Sequence, residues 1–220
     1  MRNIIYMMLL FLPLLYPGSG VCRMSNTEIE SNLMKLFEYA RVHNVNALKG
    51  LQLTVRDLNN KTLNNAYPLA LYIASPNQYE KEFVEKFPVD HEGIMNDLYE
   101  RIELRRLTPK FLYSFESIGI IADHGNQKAL QKVLLGYIHS DGVVAEMYCD
   151  SLVRIFLKSP NRVLPFLSVM GMNERKKIYL CFNTLNSTNF QSLKENIRKI
   201  APELSPGERI VIEEIENYHN

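Results

Sequence analysis

Residues 126–167 read NQKALQKVLLGYIHSDGVVAEMYCDSLVRIFLKSPNRVLPFL, and this stretch decides the fold class. Leu130, Val133, Leu134 and Tyr137 fall at i, i+3, i+4 and i+7, the spacing of one helix face. Ser140-Asp141-Gly142 then breaks the pattern with turn-forming residues. A second helical stretch follows and stops at Ser159-Pro160, because the residue before a proline avoids the helical region. Two amphipathic helices on so short a turn make an antiparallel hairpin.

The same period extends outward in both directions. Leu33, Leu36, Phe37 and Ala40 make one stripe, and Phe111, Phe115, Ile118 and Ala122 another. Ile94, Leu98 and Ile102 step by four, and Phe190, Leu193, Ile197 and Ile200 form a further face. Val211, Ile215 and Tyr218 close the series. Each stripe must be buried against a neighbouring helix. No segment shows sustained alternation between hairpin turns. The expectation is an all-α chain with helices near 26–42, 46–58, 62–74, 77–87, 91–106, 109–122, 126–139, 142–158, 161–171, 174–183, 188–201 and 206–218, the second and third being one broken element or two.

Punctuation supports these limits. Thr108-Pro109 sets a capping hydroxyl before a proline at the first helical position. Ser205-Pro206-Gly207-Glu208 has the spacing of a capping box, in which the serine and the glutamate satisfy each other's backbone N–H. Ser75-Pro76 and Ala201-Pro202 end helices, and Gly125 suits a left-handed exit after Asp123-His124.

Helix-pair starts near 91, 126 and 160 are 35 and 34 residues apart, close to the tetratricopeptide period. That family wants a tryptophan-led first helix, whereas this chain has no tryptophan and Leu135-Gly136-Tyr137 has the wrong internal spacing. The segment Asn126–Leu167 instead resembles a HEAT-type hairpin: two amphipathic helices, a polar turn, and a proline-marked start to the next unit. With its neighbours the resemblance covers a third to half of the chain. It implies antiparallel hairpins stacked as a short α-solenoid; an irregular helical bundle satisfies the same pattern. The helices before residue 60 would cap the later hairpins.

The chain has 220 residues, a formal charge of +1 and three cysteines, with 46% hydrophobic and 22% charged residues. That composition excludes collagen-like, coiled-coil, disulfide-dense and disordered acidic classes. The near-zero charge speaks against a general nucleic-acid binder, which carries a large basic excess. Residues 4–16, IIYMMLLFLPLLY, follow Met1-Arg2-Asn3 and precede Pro17-Gly18-Ser19-Gly20-Val21-Cys22. A basic start, a short apolar block and a small-residue exit describe a secretory signal peptide cleaved near Gly20 or Cys22. The block is short of the ~20 residues of a membrane span and contains Pro13. Cys22 offers a second route, acylation as a bacterial lipoprotein, although Val21 and Ser19 match such a signal poorly. Losing residues 1–22 removes Arg2, takes the charge from +1 to zero, and leaves residues 23–220 as one helical domain.

Candidate chemistry is sparse. In an oxidising compartment Cys149 and Cys181 can pair, the alternative being two buried free thiols. The histidines are His43, His91, His124, His139 and His219, with none at i, i+4 on one helix. His124 and His139 stand at opposite ends of a helix, about 20 Å apart, and cannot share a metal. There is no zinc-protease, nucleophile-elbow or phosphate-loop motif. Arg101, Arg105, Arg106 and Lys110 make one basic cluster and Arg175, Lys176 and Lys177 a second. Either is a solvated face or a docking surface whose charges set orientation and on-rate.

The reading is of an exported, non-catalytic helical protein that binds a protein partner, for instance as an inhibitor or immunity-type protein, with no cofactor, metal or nucleic acid. The alternatives are an enzyme or small-ligand bundle with an unrecognised site, and a lipid-anchored envelope structural protein.

Overall fold

Ser25 opens the first helix with a reciprocal capping box: its Oγ accepts from the Glu28 N–H at 3.3 Å, and the Glu28 carboxylate accepts from the Ser25 N–H at 2.8 Å. The computed structural model describes residues 25–56, 61–87 and 108–219. The described residues form eleven α-helices and no strand. These are α1 (Asn26–Arg41), α2 (Val45–Arg56), α3 (Lys61–Ala74), α4 (Pro76–Lys86), α5 (Thr108–Asp123), α6 (Gln127–Ile138), α7 (Gly142–Lys158), α8 (Pro160–Val169), α9 (Met172–Phe182), α10 (Ser187–Ile200) and α11 (Pro206–His219). A 3-10 turn, Ala201–Glu203, joins the last two. The described chain is therefore all-α, as its period required. The expected helix at 91–106 and the signal segment at 1–22 lie outside the described residues.

The described apolar stripes pack into the core, with Ile197 and Ile200 of α10 partly buried against it. Leu33, Leu36, Phe37 and Ala40 of α1 are buried, as are Leu130, Val133, Leu134 and Tyr137 of α6. Phe115, Ile118 and Ala122 are buried in α5. In α11 Val211 and Ile215 are buried while Tyr218 stays 40% exposed, resting against Tyr179 at 5.9 Å between ring centroids. Helix α1 packs on α3, and α3 on α4. Helix α5 packs on both α6 and α7. Helix α7 is the hub of the second half, touching α5, α6, α8, α9 and α10. Its Tyr148 is fully buried, edge-on to Phe115 at 5.6 Å. Gly136 makes room for that ring, since a Cβ there would stand 2.5 Å from the Tyr148 ring. The two halves meet through α4 and α6, and Phe87 meets Phe115 edge-on at 6.1 Å.

The breaks behave as the sequence required. Gly125 adopts φ +111°, a region most side chains avoid. Asn126 then caps α6, its Oδ1 accepting from the Ala129 N–H at 3.1 Å. Ser205 and Glu208 form the expected capping box on α11.

A regular feature emerges at the other ends of the helices. The last carbonyls of an α-helix have no partner within it and carry partial negative charge. Successive helix ends here receive a donor from elsewhere in the chain. Arg162 of α8 donates to the Ala122 and Asp123 carbonyls of α5, at 2.6 and 3.4 Å. Lys177 of α9 donates to the carbonyls of Ile138, the last residue of α6, and of Ser140 just beyond it. Asn196 of α10 donates to Leu157 of α7 at 2.8 Å. Each donor comes from the helix three further along. A simple stack of two-helix hairpins would advance by two.

Candidate functional site

The second basic cluster is turned inward. Arg175 of α9 makes a two-pronged pair with Glu214 of α11, both bonds at 2.8 Å, and its Nη1 donates to the Met170 carbonyl at 2.7 Å. The two side chains are only 13% and 19% exposed. The Tyr179 hydroxyl donates to the same carboxylate at 2.7 Å. The Arg175 guanidinium holds the Glu214 carboxyl below its ordinary value. Burial, then Glu214, pushes the Tyr179 phenol well up. Arg175 and Lys177 thus fasten helices together, and of the three expected docking cations Lys176 is the one left exposed. The reason is tertiary: their acceptors on other helices, Glu214 and the Ile138 and Ser140 carbonyls, lie 37–39 residues away in sequence. Arg101, Arg105 and Arg106 lie outside the described residues, as does the Lys110 side chain.

Cys149 in the middle of α7 and Cys181 near the end of α9 are joined as a disulfide with Cα atoms 5.5 Å apart. Cys22 lies outside the described residues. Packing of α9 on α7 brings the two sulfurs together.

Beside that bond lies an open groove of about 280 Å³. Tyr137 of α6 forms one side. Helix α7 contributes Ala145, Glu146, Cys149 and Asp150, four positions of one helix face. The end of α9 and the turn beyond it contribute Leu180, Cys181 and Thr184. The Thr184 hydroxyl donates to the Cys181 carbonyl at 2.8 Å and holds that turn closed. Leu180 is 55% exposed although it neighbours a buried cysteine. Glu146 and Asp150 are both exposed on the rim, one helical turn apart. The groove therefore offers an apolar floor, two carboxylates and the negative end of α9.

Sequence reasoning passed over this groove. Glu146 and Asp150 do share a face with Cys149 by spacing alone, but nothing in their order says that Leu180 will stand opposite them. The described histidines do not converge. His124 lies exposed in a turn and His139 is the exposed C-cap of α6. His43 sits at φ +55°, and its Nδ1 lies 2.8 Å from the Ala74 carbonyl at the end of α3. His91 and the His219 side chain lie outside the described residues. Among the described residues no three His, Cys, Asp or Glu side chains come together as a metal site. No described helix is long and apolar enough to cross a membrane.

Comparison with protein families, with curated proteins and with solved structures returns no match for this chain.

Proposed function

We propose that the protein is an exported, non-catalytic binding module that docks a partner protein through the surface of its second half. The observation that carries this reading is the groove between α7 and α9, pinned by the Cys149–Cys181 disulfide. A covalent link across two helices holds a surface in its bound shape before the partner arrives, which reduces the ordering cost of association. Disulfides persist in oxidising compartments, so the bond also fits the signal-like segment at 1–22 and a periplasmic or secreted setting. The core between the helices is filled by apolar side chains, and its buried polar residues include Ser117, Ser140 and Ser151. Ionisable groups such as Arg175, Lys177 and Glu214 work in helix fastening.

The test is affinity capture with the oxidised protein from the envelope fraction of its own host at physiological salt. A specific partner recovered in fixed stoichiometry is the expected result. Recovery of nothing above a heat-denatured control would overturn the reading.

A further inference from the structure

We infer that the groove beside Cys149–Cys181 receives a cationic amphipathic helix of the partner, one apolar side chain entering the groove and lysine or arginine meeting Glu146 and Asp150. This rests on the protein-binding reading above and names the chemistry of the partner. Size sets the first condition. A groove of about 280 Å³ falls just below the span of ligand pockets, ~300–1,000 Å³, and suits a large side chain better than a whole cofactor. Lining sets the second. The disulfide, Ala145 and the exposed Leu180 favour an apolar occupant.

Charge decides the third condition. Glu146 and Asp150 stand about 5–6 Å apart, as residues four apart on a helix do. Neither has a hydrogen bond or ion pair among the described residues, a state they share with exposed carboxylates such as Glu203 and Glu213; what sets them apart is their place on the groove rim. The carboxyl end of α9 adds negative potential at the same place. Among the described residues no lysine or arginine lines the groove. Lys177, about a turn back along α9, is held on the carbonyls of Ile138 and Ser140. Lys176 stands exposed one turn before Leu180 on the α9 side, whereas the α7 rim of the groove is lined by Glu146 and Asp150, so a basic group is steered to that rim. A helix presents an apolar residue with cations three or four positions away on the same face, which is the spacing this rim asks for.

The probes are two synthetic helical peptides with the same leucine stripe, flanked by lysines in one and by glutamates in the other. Binding to the oxidised full chain is read by fluorescence anisotropy at low and physiological salt. The lysine peptide should bind saturably and the glutamate peptide should not. Glu146→Lys/Asp150→Lys should weaken the lysine peptide by roughly tenfold or more. Glu213→Lys, an exposed change on α11, should leave it within about twofold. Leu180→Glu should also abolish binding, and thermal melts confirm that each variant is folded. Equal binding of both peptides, or an unchanged affinity in the double variant, would sink the inference. So would self-association of the protein that the double variant abolishes, because the occupant would then be a second copy. A captured natural partner that binds the double variant undiminished removes the groove and leaves the binding-module reading standing. Groove-dependent peptide binding without any captured partner leaves the chemistry of the groove standing and overturns its assignment to a natural protein partner.

Discussion

Helices α1–α4 and helices α5–α11 are made of the same kind of amphipathic segment, yet they are fixed differently. In the first set Leu33, Leu36, Leu48 and Leu63 are fully buried, and a histidine in the α1–α2 turn reaches the end of α3. In the second set apolar packing is overlaid by a disulfide, a half-buried ion pair and three successive side-chain caps on helix ends. Apolar burial is non-directional and settles which face points inward. Directional bonds and a covalent link settle how far one helix slides along the next. A surface that must keep its shape belongs in the second set, where the groove is.

The largest tests act in the core of each set. Tyr148→Ala should cost about 3–5 kcal/mol, because it empties the fully buried place beside Phe115 and Gly136. Leu63→Ala in α3 should cost about 2–5 kcal/mol. Denaturant melts followed separately in each half would show whether both changes shift one transition. Two separated transitions would turn the contrast into a domain boundary.

Removing the cross-link comes next. Cys149→Ala/Cys181→Ala should lower stability by about 2–4 kcal/mol, the range for opening a loop of this order. Hydrogen exchange should then speed up in α7 and α9 and leave α1–α4 unchanged. Equal acceleration everywhere would remove the distinction between the halves.

Glu214→Gln should cost about 1–3 kcal/mol, since Arg175 and Tyr179 lose their shared charged acceptor. The same residue gives a pH signature. Arg175 holds the Glu214 carboxyl low, so the folded state favours the ionised form. Its contribution is present at neutral pH and is lost as pH falls through that lowered value. Stability measured across the acid range should fall less steeply in the glutamine variant.

Two smaller changes complete the series. Ser205→Ala removes one half of the α11 capping box and should cost about 1 kcal/mol, seen as fraying of that helix. Lys128→Ala removes an exposed pair with Glu85, 3.4 Å across the seam, and should change stability by less than about 1 kcal/mol. A larger loss would mean that the seam leans on polar contacts as the second half does.

Much of this was legible in one dimension because its physics is local. A helix face repeats every 3.6 residues, so the stripe at Leu130–Tyr137 announced both the helix and its buried side. Capping acts within three residues, so Ser205 and Glu208 could be paired by eye, and Gly125 could be read as an exit. Cys149 and Cys181 are an intermediate case. Their chemistry permitted a bond, while their 32-residue separation left the distance open.

Charge direction was illegible. Arg175-Lys176-Lys177 looks like a basic surface patch, and only the arrival of Glu214 and of the α6 carboxyl end turns two of the three inward. The groove shares that dependence. The sequence by itself determined the helices, their buried faces and their caps, because those follow from interactions a few residues long. Tertiary packing settled which charges became fasteners, that two cysteines met, and that Leu180 shares a groove with Glu146 and Asp150. Those outcomes depend on the angle and register of helices packed across tens of residues, which no local spacing records.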